Sequence, residues 1–121
     1  MTTDKRSPYV DAYLRFLHLA AAVKAFPGMD NFGVNERALF EEILMAWAYR
    51  QPLSVKEAIG IVRLGSPATL HKRVLRLREM QLIDVQSTDT DRRTKLLIPT
   101  NRGLEYAGRL GHAILGSLNG S

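Results

Sequence analysis

Cysteine is absent from the chain, which excludes disulfides, thiolate metal sites and cysteine redox switches. No apolar stretch approaches the length needed to span a bilayer. The N-terminal MTTDKRSPYV lacks the apolar core of a secretory signal. These absences suit a cytoplasmic protein with no membrane partner. Histidine is scarce: His18, His71 and His112 fall on separate predicted helices, without metal-ligand spacing. Ser66 and His71 share one predicted helix at i, i+5, the wrong spacing for a hydrogen-bonded nucleophile and base. No glycine loop of the kind that cradles phosphates occurs. The expectation is a protein that is not an enzyme and holds neither cofactor nor metal.

What remains is ordinary in bulk and uneven in charge. The 121 residues suit one domain, expected to span 1–121, with a single modest core. A hydrophobic share of 45% and a charged share of 24% are those of a soluble globular chain. The formal net charge of +5 favours acidic partners: nucleic acid, an anionic membrane or an acidic protein.

Periodicity and capping signals order the elements. A helix is predicted over 8–26, with Val10, Tyr13, Leu14 and Leu17 on one apolar stripe and Phe16, Leu19, Val23 and Phe26 on another. A helix apolar on more than one face is either deeply buried or shared between two cores, and in a chain this small it points to a dimer. After the breaker PGMDNFG, Asn35 is placed to cap a second helix with Leu39, Phe40, Ile43, Leu44 and Trp47 facing inward. Ser54-Val55-Lys56-Glu57 matches a capping box and opens a third helix expected to run to Gly65. Ser66-Pro67 sets a serine cap beside proline at the first helical position, opening a fourth helix over 66–81. A strand over 82–87, a turn over 88–93 and a returning strand over 94–99 follow. Thr100 then caps a last helix over 101–116.

The fourth helix carries the first functional signal. Leu70, Val74 and Leu77 recur at i, i+4, i+7 and point to a core. Thr69, Lys72 and Arg76 lie on a different, roughly opposite face, with His71, Arg73 and Arg78 on the flanks. No acid falls between Arg63 and Arg78, although solvated helices usually mix signs. A one-signed face forgoes Glu–Lys support, which makes sense where phosphates supply the missing charge. Ser66, Ala68 and Thr69 are small, so the helix start can approach a phosphate or base edge closely. The plain alternative is a surface helix that happens to be basic.

The second signal is DTDRRTK at the predicted hairpin tip. Ile83 and Val85 share one strand face, with Leu96 and Ile98 expected opposite them. Asp89 and Asp91 turn the chain, leaving Arg92, Arg93 and Lys95 at the free end. Arginines there can enter a narrow minor groove, where the potential is most negative. Aromatics are not interleaved with the basic residues, so single strands lack a stacking surface and duplex DNA is the expected partner.

SPATLHKRVLRLREMQLIDVQSTDTDRRTKLLIPTNRG resembles the winged helix-turn-helix of MarR-type transcription regulators. Ser66 and Thr69, then Leu70, Val74 and Leu77, then Leu82-Ile83, Asp91-x-Arg93 and Thr100-x-x-Gly103 carry the likeness. It covers roughly 35–108, most strongly 66–103. The resemblance implies a mainly helical fold with a small β-hairpin wing, its winged-helix core over 35–100. It implies a homodimer paired through the N- and C-terminal helices. Ser66, Thr69, His71, Lys72 and Arg73 fall where the family reads the major groove, and Arg93 where its wing arginine enters the minor groove. To these the residues themselves add Ala68, for its small size at the helix start, and Arg76, Arg92 and Lys95, for their charge. The competing expectation is a winged helix used for protein–protein contact, since a fold does not by itself determine a function.

Overall fold

Capping chemistry places the elements. In the computed structural model the described residues are 7–24, 32–88, 90 and 93–118. Expectations for 25–31 and for Asp89, Asp91 and Arg92 lie outside them. Ser7 Oγ accepts from the Val10 amide at 3.3 Å, and Pro8 opens α1 (Pro8–Lys24). α2 (Val34–Ala48) begins ahead of the expected cap Asn35: Gly33 is its N-cap, and Glu36 Oε1 accepts the Gly33 amide at 3.1 Å. A glycine N-cap works here because the glutamate returns to satisfy the cap's own N–H.

Ser54 caps α3 (Val55–Ile59) with a complete capping box: Ser54 Oγ accepts from Glu57 N at 3.0 Å, and Glu57 Oε1 accepts from Ser54 N at 2.9 Å. The helix expected to reach Gly65 stops at Gly60 instead, and a separate 3₁₀ turn, Val62–Leu64, follows. Glycine carries the highest helix-breaking cost after proline, and a single turn of apolar periodicity does not offset it. α4 (Pro67–Glu79) has Ser66 as N-cap and proline in its first turn, as expected, but ends before Gln81. Gln81 stands at φ +62°, and Leu82 N donates to Leu77 O at 3.0 Å while Gln81 N donates to Arg78 O at 2.9 Å. That pair of bonds is a Schellman closure with glutamine in the position glycine usually takes.

β1 (Ile83–Ser87) and β2 (Lys95–Pro99) form an antiparallel hairpin. Its register corrects the expectation by one residue: Val85 faces Leu97 and Ile83 faces Pro99, so Leu97 is buried while Leu96 and Ile98 are half-buried. Leu96-Leu97-Ile98 is a continuous apolar run, so alternation alone does not choose the inward residue. The other edge of β2 is taken by the segment before α3, where Leu97 N donates to Leu53 O at 2.8 Å and Ser54 bridges Leu96. Thr100 caps α5 (Asn101–Leu118) by accepting from Gly103 N at 3.0 Å.

The described chain falls into two units. The unit over 31–105 holds a continuous apolar core: Leu39, Phe40 and Ile43 of α2, Ala58 of α3, Leu70, Val74 and Leu77 of α4, then Leu82, Ile83 and Leu97. Trp47, expected on that inward face, is 38% exposed. Periodicity predicts its direction but not how far along α2 the core extends. Phe32 meets Phe40 edge to face, with centroids 6.2 Å apart. The other unit groups α1 with α5 from Tyr106 onward. There Val10, Tyr13, Phe16 and Leu17 of α1, and Ile114 and Leu115 of α5, are exposed. No helix among the described residues is long and apolar enough to cross a membrane.

Candidate nucleic-acid interface

α4 is held at both ends before any charge is considered. At its start, Ser66 Oγ accepts from Thr69 N at 3.3 Å and donates to Thr69 Oγ1 at 2.9 Å. At its end, Arg102 Nε donates to Met80 O at 3.1 Å and Thr100 Oγ1 to Gln81 O at 2.5 Å. Those bonds occupy carbonyls that follow the last helical turn, which would otherwise need water. Leu70, Val74 and Leu77 are buried as their spacing predicts, which sets the rotation of the helix about its axis. Ala68, Lys72, Leu75 and Glu79 then lie farthest from the core, with Arg76 beside them, and all five are exposed.

The five cations between Arg63 and Arg78 divide into two groups in the structure. Arg63 pairs with Glu42 of α2. Arg73 is half-buried, and its Nη1 donates to Leu64 O at 2.7 Å. Arg78 lies 4.0 Å from Asp84. Lys72 and Arg76 are exposed, and among the described residues neither has a side-chain partner. His71 is exposed on the flank. The one-signed face read from the sequence is thus smaller than five cations, and it is centred on two.

Around the wing, Arg93 is exposed at the turn, and Lys95 Nζ donates to Ser87 Oγ at 2.9 Å across the hairpin. Arg92 lies outside the described residues. Lys56 of α3 joins these cations in space. A groove of about 360 Å³ is lined by Ser54, Val55, Lys56 and Ile59 on one side and Arg93, Thr94 and Lys95 on the other. The bridge from Ser54 to Leu96 creates it by laying the start of α3 along β2. That pairing spans distant sequence and leaves no local signal. A second groove, at the far end of α4, is lined by Leu75, Arg78, Glu79, Gln81, Ile83, Asp84 and Thr100. Its charges are mixed, unlike the Lys72–Arg76 stretch of α4 and the groove beside the wing. Among the described residues no group of three or more His, Asp or Glu side chains is placed to hold a metal ion.

No protein-family profile and no curated protein matches this sequence. Solved structures do match in shape. The transcriptional regulator Tm0710 from Thermotoga maritima aligns over 92% of this chain and 74% of its own, at 15% identity and a TM-score of 0.62. A single-site mutant of MepR from S. aureus, bound to an oligodeoxyribonucleotide, aligns over 94% of this chain and 80% of its own, at 16% identity and 0.56. MarR itself aligns over 93% of this chain and 80% of its own, at 19% identity and 0.55. With α4 as the second helix of a helix-turn-helix and β1–β2 as the wing, the chain has the winged-helix fold of MarR-type transcriptional regulators.

Proposed function

We propose that this chain is a sequence-specific, duplex-DNA-binding transcription regulator of the cytoplasm, acting as a homodimer. The observation that carries the reading is the outward face of α4, where Lys72 and Arg76 stand exposed and without a side-chain partner among the described residues, Glu79 at the end of the helix being the one acid on that face. Two such cations, on a helix whose start is small and well capped, are what a phosphate-lined major groove complements. In this reading Ser66, Ala68, Thr69, His71 and Lys72 lie nearest the bases. Arg76 and Lys56 meet phosphates. Arg92, Arg93 and Lys95 of the wing sit at the flanking minor groove. The exposed apolar residues of α1 and α5 supply the contact between copies.

The test is a salt titration of binding to duplex DNA. Removing one phosphate-binding cation should reduce the slope of log K against log salt by about 0.9. Arg76→Ala is expected to do so, and both Arg76→Ala and Lys72→Ala are expected to weaken binding. One observation favours a second reading, a docking face for an acidic protein. Leu75, 43% exposed, interrupts the outward face of α4 with an apolar side chain. Wild-type protein whose duplex binding is absent, or indifferent to salt, selects that reading.

A further inference from the structure

We infer that Arg73 is a positioning residue: it locks the turn that aims α4, and it does not read bases or phosphates itself. The inference rests on the DNA-binding reading and deepens it. The change of direction between the 3₁₀ turn and α4 is confined to Leu64, Gly65 and the cap Ser66. Gly65 has φ +150°, a conformation side-chain-bearing residues rarely adopt. A segment this short, with one glycine at its centre, has little of its own to define its direction. Arg73 reaches back from α4 and donates Nη1 to the Leu64 carbonyl at 2.7 Å, a part-buried bond. A charged donor on a neutral carbonyl is among the stronger hydrogen bonds, and partial burial protects it from water.

The surroundings agree. A Cβ built on Gly65 would lie 3.5 Å from Arg73 Nη1, 3.7 Å from Thr69 Cγ2 and 3.8 Å from Leu70 Cδ2. Arg73 and Thr69, one helical turn apart, therefore close over the glycine. On its other side the 3₁₀ turn is tied to α2 through Arg63 and Glu42. One arginine fastens this turn to α2 and another fastens it to α4. Lys72 and Arg76, on the same helix, make no such commitment among the described residues. Recognition depends on holding Ser66, Ala68 and Thr69 within about 0.5 Å of their working positions. Loosening the turn should cost discrimination between sequences while leaving the neutralised phosphates unchanged in number.

The experiment uses the full chain with Arg73→Met, which keeps the long stem and removes the donor, and Arg73→Lys, which keeps the charge but not the planar fork. Amide hydrogen exchange of the free protein is measured first. Exchange at Gly65, Thr69 and Leu70 should rise about tenfold or more in both variants, with the core amides of α2 unchanged. Binding to a selected duplex and to a random duplex is then titrated with salt. The ratio of the two affinities should fall about tenfold, with the salt slope as in wild type. Arg76→Ala serves as the opposite control, losing slope with unaltered exchange. A drop in slope of about one unit for Arg73→Met, or unchanged exchange at the turn, overturns the inference. An affinity ratio that stays at the wild-type value does the same. If Arg73→Met does not fold, Arg73→Lys decides alone by the same readings. If wild type binds no duplex, the DNA reading fails, and the exchange arm still decides whether Arg73 locks the turn.

Discussion

Gly103 and Gln81 meet at the same carbonyl-rich corner, and they predict opposite responses to substitution. A Cβ on Gly103 would run into the Leu82 carbonyl oxygen and press on Phe40 Cε1 at 3.4 Å. Backbone cannot yield as a side-chain tip does. Gly103→Ala should therefore destabilise the fold by about 1–3 kcal/mol, read as a lower urea midpoint at constant m. Gln81 occupies a left-handed backbone position that favours glycine. Gln81→Gly should be neutral or stabilising by up to about 1 kcal/mol in the same assay, and clear destabilisation would count against the Schellman closure. Thr100-x-x-Gly103 is legible from the sequence as a helix opening. Why position 103 must be glycine is not, because the obstructing atom belongs to a residue before the wing. Arg73 teaches the same lesson. Its place on the flank of the helix follows from spacing, but its acceptor is a main-chain carbonyl, and a string of side chains carries no sign of that.

Elements are legible where local chemistry alone decides them. Ser54 and Ser66 cap as their neighbours imply, and the buried face of α4 follows from its period. Ser66→Ala should cost about 1 kcal/mol of stability, measured by the same urea titration. Elements are misjudged where long-range packing decides. The one-residue slip in β2 is resolved only by the bridge to Ser54, which fixes the face that Leu97 presents. The break at Gly60 leaves α3 short, and the turn before α4 then depends on Arg63 and Arg73 for its direction. At the wing, Arg93→Ala should weaken binding most on duplexes with AT-rich flanks, where the minor groove is narrowest. Equal loss on every flank, measured by competition between otherwise identical duplexes, would remove the wing arginine from the groove.

At the scale of the whole molecule, the proposed dimer rests on the exposed apolar residues of α1 and α5. Phe16 is 59% and Leu115 63% exposed, an unfavourable arrangement for a lone chain in water. Phe16→Glu with Leu115→Glu should give monomer by sedimentation equilibrium while retaining the helical signal of the wild type. A persisting dimer would move the interface elsewhere. The proposed symmetry has only an indirect signal in the sequence, a first helix apolar on two faces, because a sequence records what a face avoids and not what covers it. Selection of bound duplexes from a random library by the intact protein, at moderate salt, tests duplex readout and symmetry together. The expected outcome is an enriched pseudo-palindrome with half-sites about one helical turn apart, about 10–10.5 base pairs, or a multiple of it. A pool that stays random, with no salt-dependent retention on the protein, would contradict it.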